Sequence, residues 1–173
     1  MNNYKELLKN ITTFILDYDG VLTDGNILVT QDGDALRTIN TKDGYILQYA
    51  VKKGYKVIIL TGANAQSIRL RFVELGIKEV HQGIEDKLAF FKTYMETHQL
   101  NLDNILYIGD DIPDYPVMKI IALPVCPADA AEEIKSISKY ISDKTGGKGC
   151  VRDIIEQVMK VQGKWMNDDA FVW

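Results

Sequence analysis

Three runs in this chain are built alike: FILDYD (14–19), VIILTG (57–62) and ILYIGDD (105–111). Each is an unbroken apolar, largely β-branched stretch that stops abruptly at a polar group. A strand with one wet face alternates apolar and polar residues. A strand without alternation is buried on both faces, as in a parallel sheet covered by helices on either side. In open α/β sheets, ligands bind beyond the carboxyl ends of the strands. Asp17 and Asp19, Thr61 and Gly62, and Asp110 and Asp111 all fall at that edge.

The segments between these strands fit that architecture. A short amphipathic stretch (3–9) precedes the first strand, and NILVTQDGDALRTIN (26–40) alternates about an Asp-Gly turn, predicting a β-hairpin insertion over about 26–41. Helices are expected over 43–54, opened by Asp43 and closed by Gly54, then over 64–76, 85–100, 114–120, 130–137 and 151–163. In the second of these, Ile68, Phe72 and Leu75 share one side. KEVHQG, IALPV and KYIS supply shorter strands. The expected fold class is α/β: a doubly wound, mostly parallel sheet flanked by helices, in a single domain over residues 1–173. A tail over about 163–173 carries Trp165, Phe171 and Trp173, too many aromatics for a free end, and docking on its own subunit is the favoured expectation.

Composition narrows the function. A net charge of −4 with no basic block or stripe argues against a nucleic-acid partner. No apolar run approaches membrane-spanning length, and the polar N-terminus, MNNYKELLKN, does not resemble a secretory signal. Cys126 and Cys150 form neither a disulfide framework nor a zinc spacing, as suits reduced thiols in a cytoplasmic protein. His81 and His98 lack ligand spacing and are expected to be structural or solvated.

Asp17 and Asp19 end a strand whose side chains alternate faces with period two, so the two are expected to point the same way. Two like charges so placed repel unless a cation lies between them or one holds a proton. Carboxylates gathered at strand ends favour a hard divalent cation such as Mg²⁺, which takes one or two carboxylates along with waters and substrate phosphate. The Thr61 hydroxyl and a Gly62 backbone N–H could hold phosphoryl oxygens, and Lys87 could offset their charge. A carboxylate can serve as a phosphoryl nucleophile, and a second can protonate the leaving alkoxide.

The DxDGVxTDG start, the strand ending in Thr-Gly, the Asp86-Lys87 pair and GDDxxD resemble, in order over residues 17–114, the four motifs of the haloacid dehalogenase superfamily. The resemblance implies that Asp17 is the nucleophile and Asp19 the general acid/base. It implies that Thr61 and Lys87 bind the phosphoryl group, that Asp17, Asp19 (through its carbonyl) and Asp110 hold Mg²⁺, and that Asp111 and Asp114 orient ligands. Asp114 has an alternative role as a helix cap after Pro113. About 40 residues separate Asp19 from Thr61 and about 25 separate Thr61 from Lys87. Neither gap holds a cap domain, so the chain resembles the capless branch, whose hairpins assemble homotetramers with sites shared between subunits.

Within that branch, TDGNI, NTKDGY, HQGIEDK, GDDIPDYPVM and GGKGCVRD resemble phosphatases of an eight-carbon phosphorylated sugar acid, 3-deoxy-D-manno-octulosonate 8-phosphate (KDO 8-phosphate). This implies a cytoplasmic step towards lipopolysaccharide. Phosphatases of nine-carbon, sialic-acid-type 9-phosphates are the rival resemblance, and a phosphoacceptor signalling domain is the alternative from another class. Arg71 and Arg152 match positions that imply substrate contacts, whereas Ala63 departs from a charged side chain in the pattern. TGGKG (145–149) lacks the P-loop's spacing and is expected to be a flexible turn.

Overall fold

The sheet is what the unbroken apolar strands require. In the computed structural model, which describes residues 3–172, α1 (Tyr4–Leu7) leads into β1 (Thr13–Leu16), followed by the hairpin strands β2 (Leu28–Val29) and β3 (Ala35–Leu36). Helix α2 (Thr41–Lys52), β4 (Lys56–Leu60), α3 (Gln66–Glu74), β5 (Glu79–His81), α4 (Lys87–His98) and β6 (Ile105–Ile108) come next. The chain continues through α5 (Tyr115–Met118), β7 (Leu123–Cys126), α6 (Glu132–Ile137), β8 (Tyr140–Ile141) and α7 (Cys150–Val161). Six strands form one sheet in the order β5-β4-β1-β6-β7-β8, with every pairing parallel; β2 and β3 form a separate antiparallel ribbon. Among the described residues no cap domain interrupts the sheet.

Alternate residues of the buried strands feed two cores. Phe14, Leu16, Val57, Ile59, Leu106 and Ile108 pack with α2, α3 and α7. Ile15, Ile58, Leu60, Ile105 and Tyr107 pack with α4, α5 and α6. Strand β1 lies at the centre, with Leu16 level with Ile59 on one side and Ile108 on the other. The chain runs outward from β1 through β4 to β5, then returns to β6 on the opposite side. This is the topological switch point, where a crevice opens beyond the strand ends.

Several local expectations are corrected. Helix α2 begins two residues before Asp43 and is capped by Asn40, whose Oδ1 accepts from Lys42 N at 2.8 Å. Asp43 instead turns into the interior, where its carboxylate accepts from Gly149 N and Arg152 N at 3.2 and 2.8 Å and so caps α7. TGGKG is a turn, as expected, but one tied to distant parts of the chain. Gly147 N donates to Val21 O and Gly146 N to Asp129 Oδ1, and a Cβ on Gly146 would lie 1.9 Å from Gly20 O. The loop is a backbone-to-backbone brace behind the Asp17–Gly20 turn, a role only glycine permits at that approach.

The tail docks on its own chain. Tyr45 OH donates to Ala170 O, Lys52 Nζ to Val172 O at 2.9 Å, and Lys53 pairs with Asp169. Trp165 packs edge-on against Tyr49; Trp173 lies outside the described residues. His81 is half-buried against Phe90 and Tyr94 with Glu79 at 3.1 Å, and His98 is exposed with its ring on Tyr94. Cys126 and Cys150 are buried free thiols.

Candidate active site

Asp17 follows directly on β1, its backbone N–H still bonded to Ile108 O at 3.0 Å. It is 8% exposed. Its Oδ1 meets Lys87 Nζ at 2.9 Å, and the same Nζ lies 2.6 Å from Asp114 Oδ1. Lys87 is the first residue of α4, held there by the Asp86 cap, whose Oδ1 accepts from Ala89 N at 2.9 Å. Asp114 does not act as a helix cap. Its carboxylate also accepts from Tyr107 OH at 2.7 Å and Asp110 N at 3.1 Å, so it fixes the lysine and the GDD backbone together.

Asp19 is placed otherwise than period two would have it. Strand β1 ends at Leu16, and Asp19 belongs to the following turn. Its two oxygens are taken by Arg37 on the hairpin, Nε to Oδ1 at 2.6 Å and Nη2 to Oδ2 at 3.0 Å. Thr23 Oγ1, fully buried, donates to Asp19 at 3.4 Å and accepts from the Gly20 and Gly25 N–H groups at 3.2 Å each, closing the turn. Tyr18, between the two acids, is buried edge-on against Phe72 of α3.

Asp17, Asp19, Thr61, Gly62, Lys87, Asp110, Asp111 and Asp114 line one cavity of about 480 Å³. The Thr61 hydroxyl accepts from Ala63 N at 3.0 Å, which leaves its own hydrogen for a ligand. Asp111 is exposed at the rim and bonds Ile112 N. Arg71 and Arg152 are not brought into this cavity. Arg71 reaches Glu74 at 3.4 Å and lines a smaller space behind the hairpin. Arg152 lies over the rings of Tyr45 and Trp165 and borders a separate, larger cavity of about 970 Å³.

Electrostatics mark the acidic corner. Burial, then the charge of Asp114, pushes the Asp17 carboxyl up to about 7 although Lys87 opposes the shift. Burial, followed by the charges of Asp17, Asp114 and Asp111, pushes Asp110 up to about 8. Burial pulls Lys87 down, but the carboxylates of Asp17 and Asp114 outweigh it and raise the lysine. Carboxylate oxygens of Asp17, Asp110 and Asp114 lie within 4.8 Å of one another, and Asp110 Oδ1 is buried with no hydrogen-bond partner. One lysine leaves negative charge in excess, and an orphaned hard oxygen donor fits a divalent cation.

A family model described as haloacid dehalogenase-like hydrolase matches residues 79–154. The 3-deoxy-D-manno-octulosonate 8-phosphate phosphatase KdsC of Salmonella typhi is 36% identical over 156 residues, 90% of this chain and 83% of that one. The chain belongs to the haloacid dehalogenase-like hydrolases. A solved relative of this hydrolase is the Moraxella catarrhalis 3-deoxy-D-manno-octulosonate 8-phosphate phosphatase in complex with magnesium ion, phosphate ion and KDO. It is 33% identical, covers 99% of this chain and 97% of its own, and superposes with a TM-score of 0.91. The cobalt-bound deoxy-D-mannose-octulosonate 8-phosphate phosphatase of Haemophilus influenzae is 28% identical with a TM-score of 0.88, covering 95% and 98%. The hydrolase thus has the fold, the motif order and the capless architecture expected from its sequence. Arg37 is the residue that sequence reasoning missed. A basic residue on an exposed hairpin carries no motif, and only the folded turn brings it to Asp19.

Proposed function

We propose that this chain is a Mg²⁺-dependent phosphatase that hydrolyses KDO 8-phosphate to the free sugar acid and phosphate, acting as one domain through an aspartyl-phosphate on Asp17. The observation that carries the reading is the pairing of a buried carboxylate, held 2.9 Å from Lys87, with a second carboxylate two residues later at the same cavity. The 36% identity to the Salmonella typhi phosphatase and the KDO-bound Moraxella relative support the substrate.

Asp17, Asp110 and the Asp19 carbonyl would hold Mg²⁺, which when bound offsets the charge of the phosphoryl oxygens. Asp17 Oδ attacks phosphorus; the bond from phosphorus to the sugar oxygen breaks, and Asp19 gives that oxygen its proton. Lys87, Thr61 and the Gly62 N–H bind the non-bridging oxygens. Asp19 then takes a proton from water as the water oxygen attacks phosphorus, releasing phosphate and restoring Asp17. Asp111 and Asp114 hold the frame, Asp114 through Lys87 and the Asp110 backbone.

The hairpin exposes Ile27, Leu28, Val29 and Leu36, with Leu28 at 68%. Such a patch is what a homotetramer would bury. Across a subunit boundary, Arg71 suits a planar carboxylate on the sugar, and Arg152 is a second candidate. The setting is cytoplasmic, in lipopolysaccharide precursor synthesis. Ala63, small and lining the cavity, reads no charge on the substrate, which keeps a nine-carbon 9-phosphate as the second reading.

The test is Mg²⁺-dependent phosphate release from KDO 8-phosphate, N-acetylneuraminate 9-phosphate and a hexose phosphate side by side. The octulosonate ester is expected to lead by about tenfold or more, equivalent to about 1.4 kcal/mol in the transition state. A lead by the nine-carbon ester changes the substrate. Labelling of Asp17 by acetyl phosphate without turnover would indicate a phosphoacceptor domain. Asp17→Asn is expected to abolish release while leaving the circular dichroism spectrum unchanged; retained turnover would sink the covalent mechanism.

A further inference from the structure

We infer that Arg37 is a positioning residue for Asp19, and that the hairpin is thereby part of the proton-transfer machinery; this rests on the phosphatase reading above. Both Asp19 oxygens are held by one guanidinium, at 2.6 and 3.0 Å, a two-point contact that sets the plane of the carboxylate as well as its position. Arg37 is itself fixed. Its Nη1 donates to Ala35 O at 2.9 Å, its guanidinium lies 5.9 Å from the Tyr18 ring centroid, and its side chain is only 11% exposed. Asp17 owes nothing to this arrangement, being anchored by Lys87 from α4. The two acids are therefore aimed by two independent elements, Asp17 by α4 and Asp19 by the hairpin residue that follows β3.

Proton transfer needs the carboxyl group within hydrogen-bond reach of the sugar oxygen and in the right plane. In the arrangement seen, both oxygens accept from N–H donors, and a proton carried on a remaining lone pair of one oxygen weakens that oxygen's bond to Arg37. The other keeps the group aimed. Arg37 holds Asp19 between turnovers and guides it during them.

Leaving-group dependence is the readout. An alkyl sugar phosphate needs a proton on its departing oxygen; p-nitrophenyl phosphate, with a stable phenolate, does not. The ratio kcat/KM reports only steps up to the departure of that group, so it isolates the aim of Asp19. Arg37→Ala is expected to lower kcat/KM for the alkyl ester by about tenfold or more and for the aryl ester by less than about threefold. Arg37→Lys, which keeps the charge without the fork, should recover part of the alkyl rate. Equal losses on both esters would overturn the inference by making Arg37 a phosphate ligand or a fold element, and no loss on either would make it a bystander. Should Arg37→Ala not fold, the same alkyl-to-aryl ratio measured on Arg37→Lys decides. Wild-type protein that hydrolyses neither ester would overturn the phosphatase reading itself, before any variant is made.

Discussion

The two sides of the cavity are made in opposite ways. On the sheet side, Asp17, Lys87, Asp114 and Tyr107 are buried, bonded to one another at 2.6–2.9 Å, and carried on strand ends, the first turn of α4 and the short 3-10 turn Ile112–Asp114. On the hairpin side, two strands of two residues each stand exposed, with apolar side chains facing outward and one arginine reaching in. The first side concentrates charge in a dry frame, where electrostatic interactions are strong and every group must be satisfied. The second invests little in its own packing and leaves surface for something else to cover. Phosphoryl chemistry demands the former. Adaptation to a particular substrate or partner is easier in the latter, since loops and edges tolerate change.

The sharpest way to break this contrast is Lys87→Met. Removing the ammonium leaves the Asp114 carboxylate buried without its countercharge and Asp17 without its hydrogen-bond donor, and about 3–5 kcal/mol of stability is expected to go, along with about a hundredfold or more in turnover. Urea unfolding and initial rates would check both; a loss under about 1 kcal/mol would mean that the frame is wetter than it looks.

Assembly tests the other side. On the homotetramer proposed above, Leu28→Glu combined with Val29→Glu should bring the particle from about four times 19.6 kDa to a single chain in size exclusion with light scattering. The unfolding midpoint of the single chain should move little. Unchanged size would remove the hairpin as an interface.

Acidity sharpens the comparison further. The folded protein holds protons on Asp17 up to about pH 7 and on Asp110 up to about pH 8, because burial and neighbouring carboxylates disfavour their charges. The unfolded chain releases those protons near its ordinary value of about 4. Unfolding therefore sheds protons between about pH 4 and 8, and stability falls as pH rises through that window. In metal-free protein the thermal midpoint should drop by about 5 °C or more from pH 5 to 8. Added Mg²⁺, which favours the ionised carboxylates, should restore more at pH 8 than at pH 5. A flat profile would mean that the acids are not held as close as the geometry indicates.

Most of the sheet side was legible in advance. The strand runs 14–16, 57–60 and 105–108 needed no partner to be recognised, because burial on both faces removes alternation. Their polar ends could be assigned to one edge because parallel strands share a direction. Legibility failed where a side chain's partner lies far along the chain. Asp43 looks like a helix opener but caps α7, more than a hundred residues away. TGGKG looks like a loose turn, yet Gly146 meets the Gly20 backbone and Gly147 that of Thr23 and Asp24, contacts that no local pattern announces.

The DYD turn holds both cases at once. The sequence alone determined that Asp17 ends a buried strand at the mouth of a parallel sheet, since hydrophobic periodicity and chain direction are local properties. Only the tertiary structure decided that Asp17 faces Lys87 and Asp114 while Asp19 turns to Arg37. The strand stops one residue before Asp17, and beyond that point orientation is set by side-chain charges brought together from α4 and from the hairpin residue after β3.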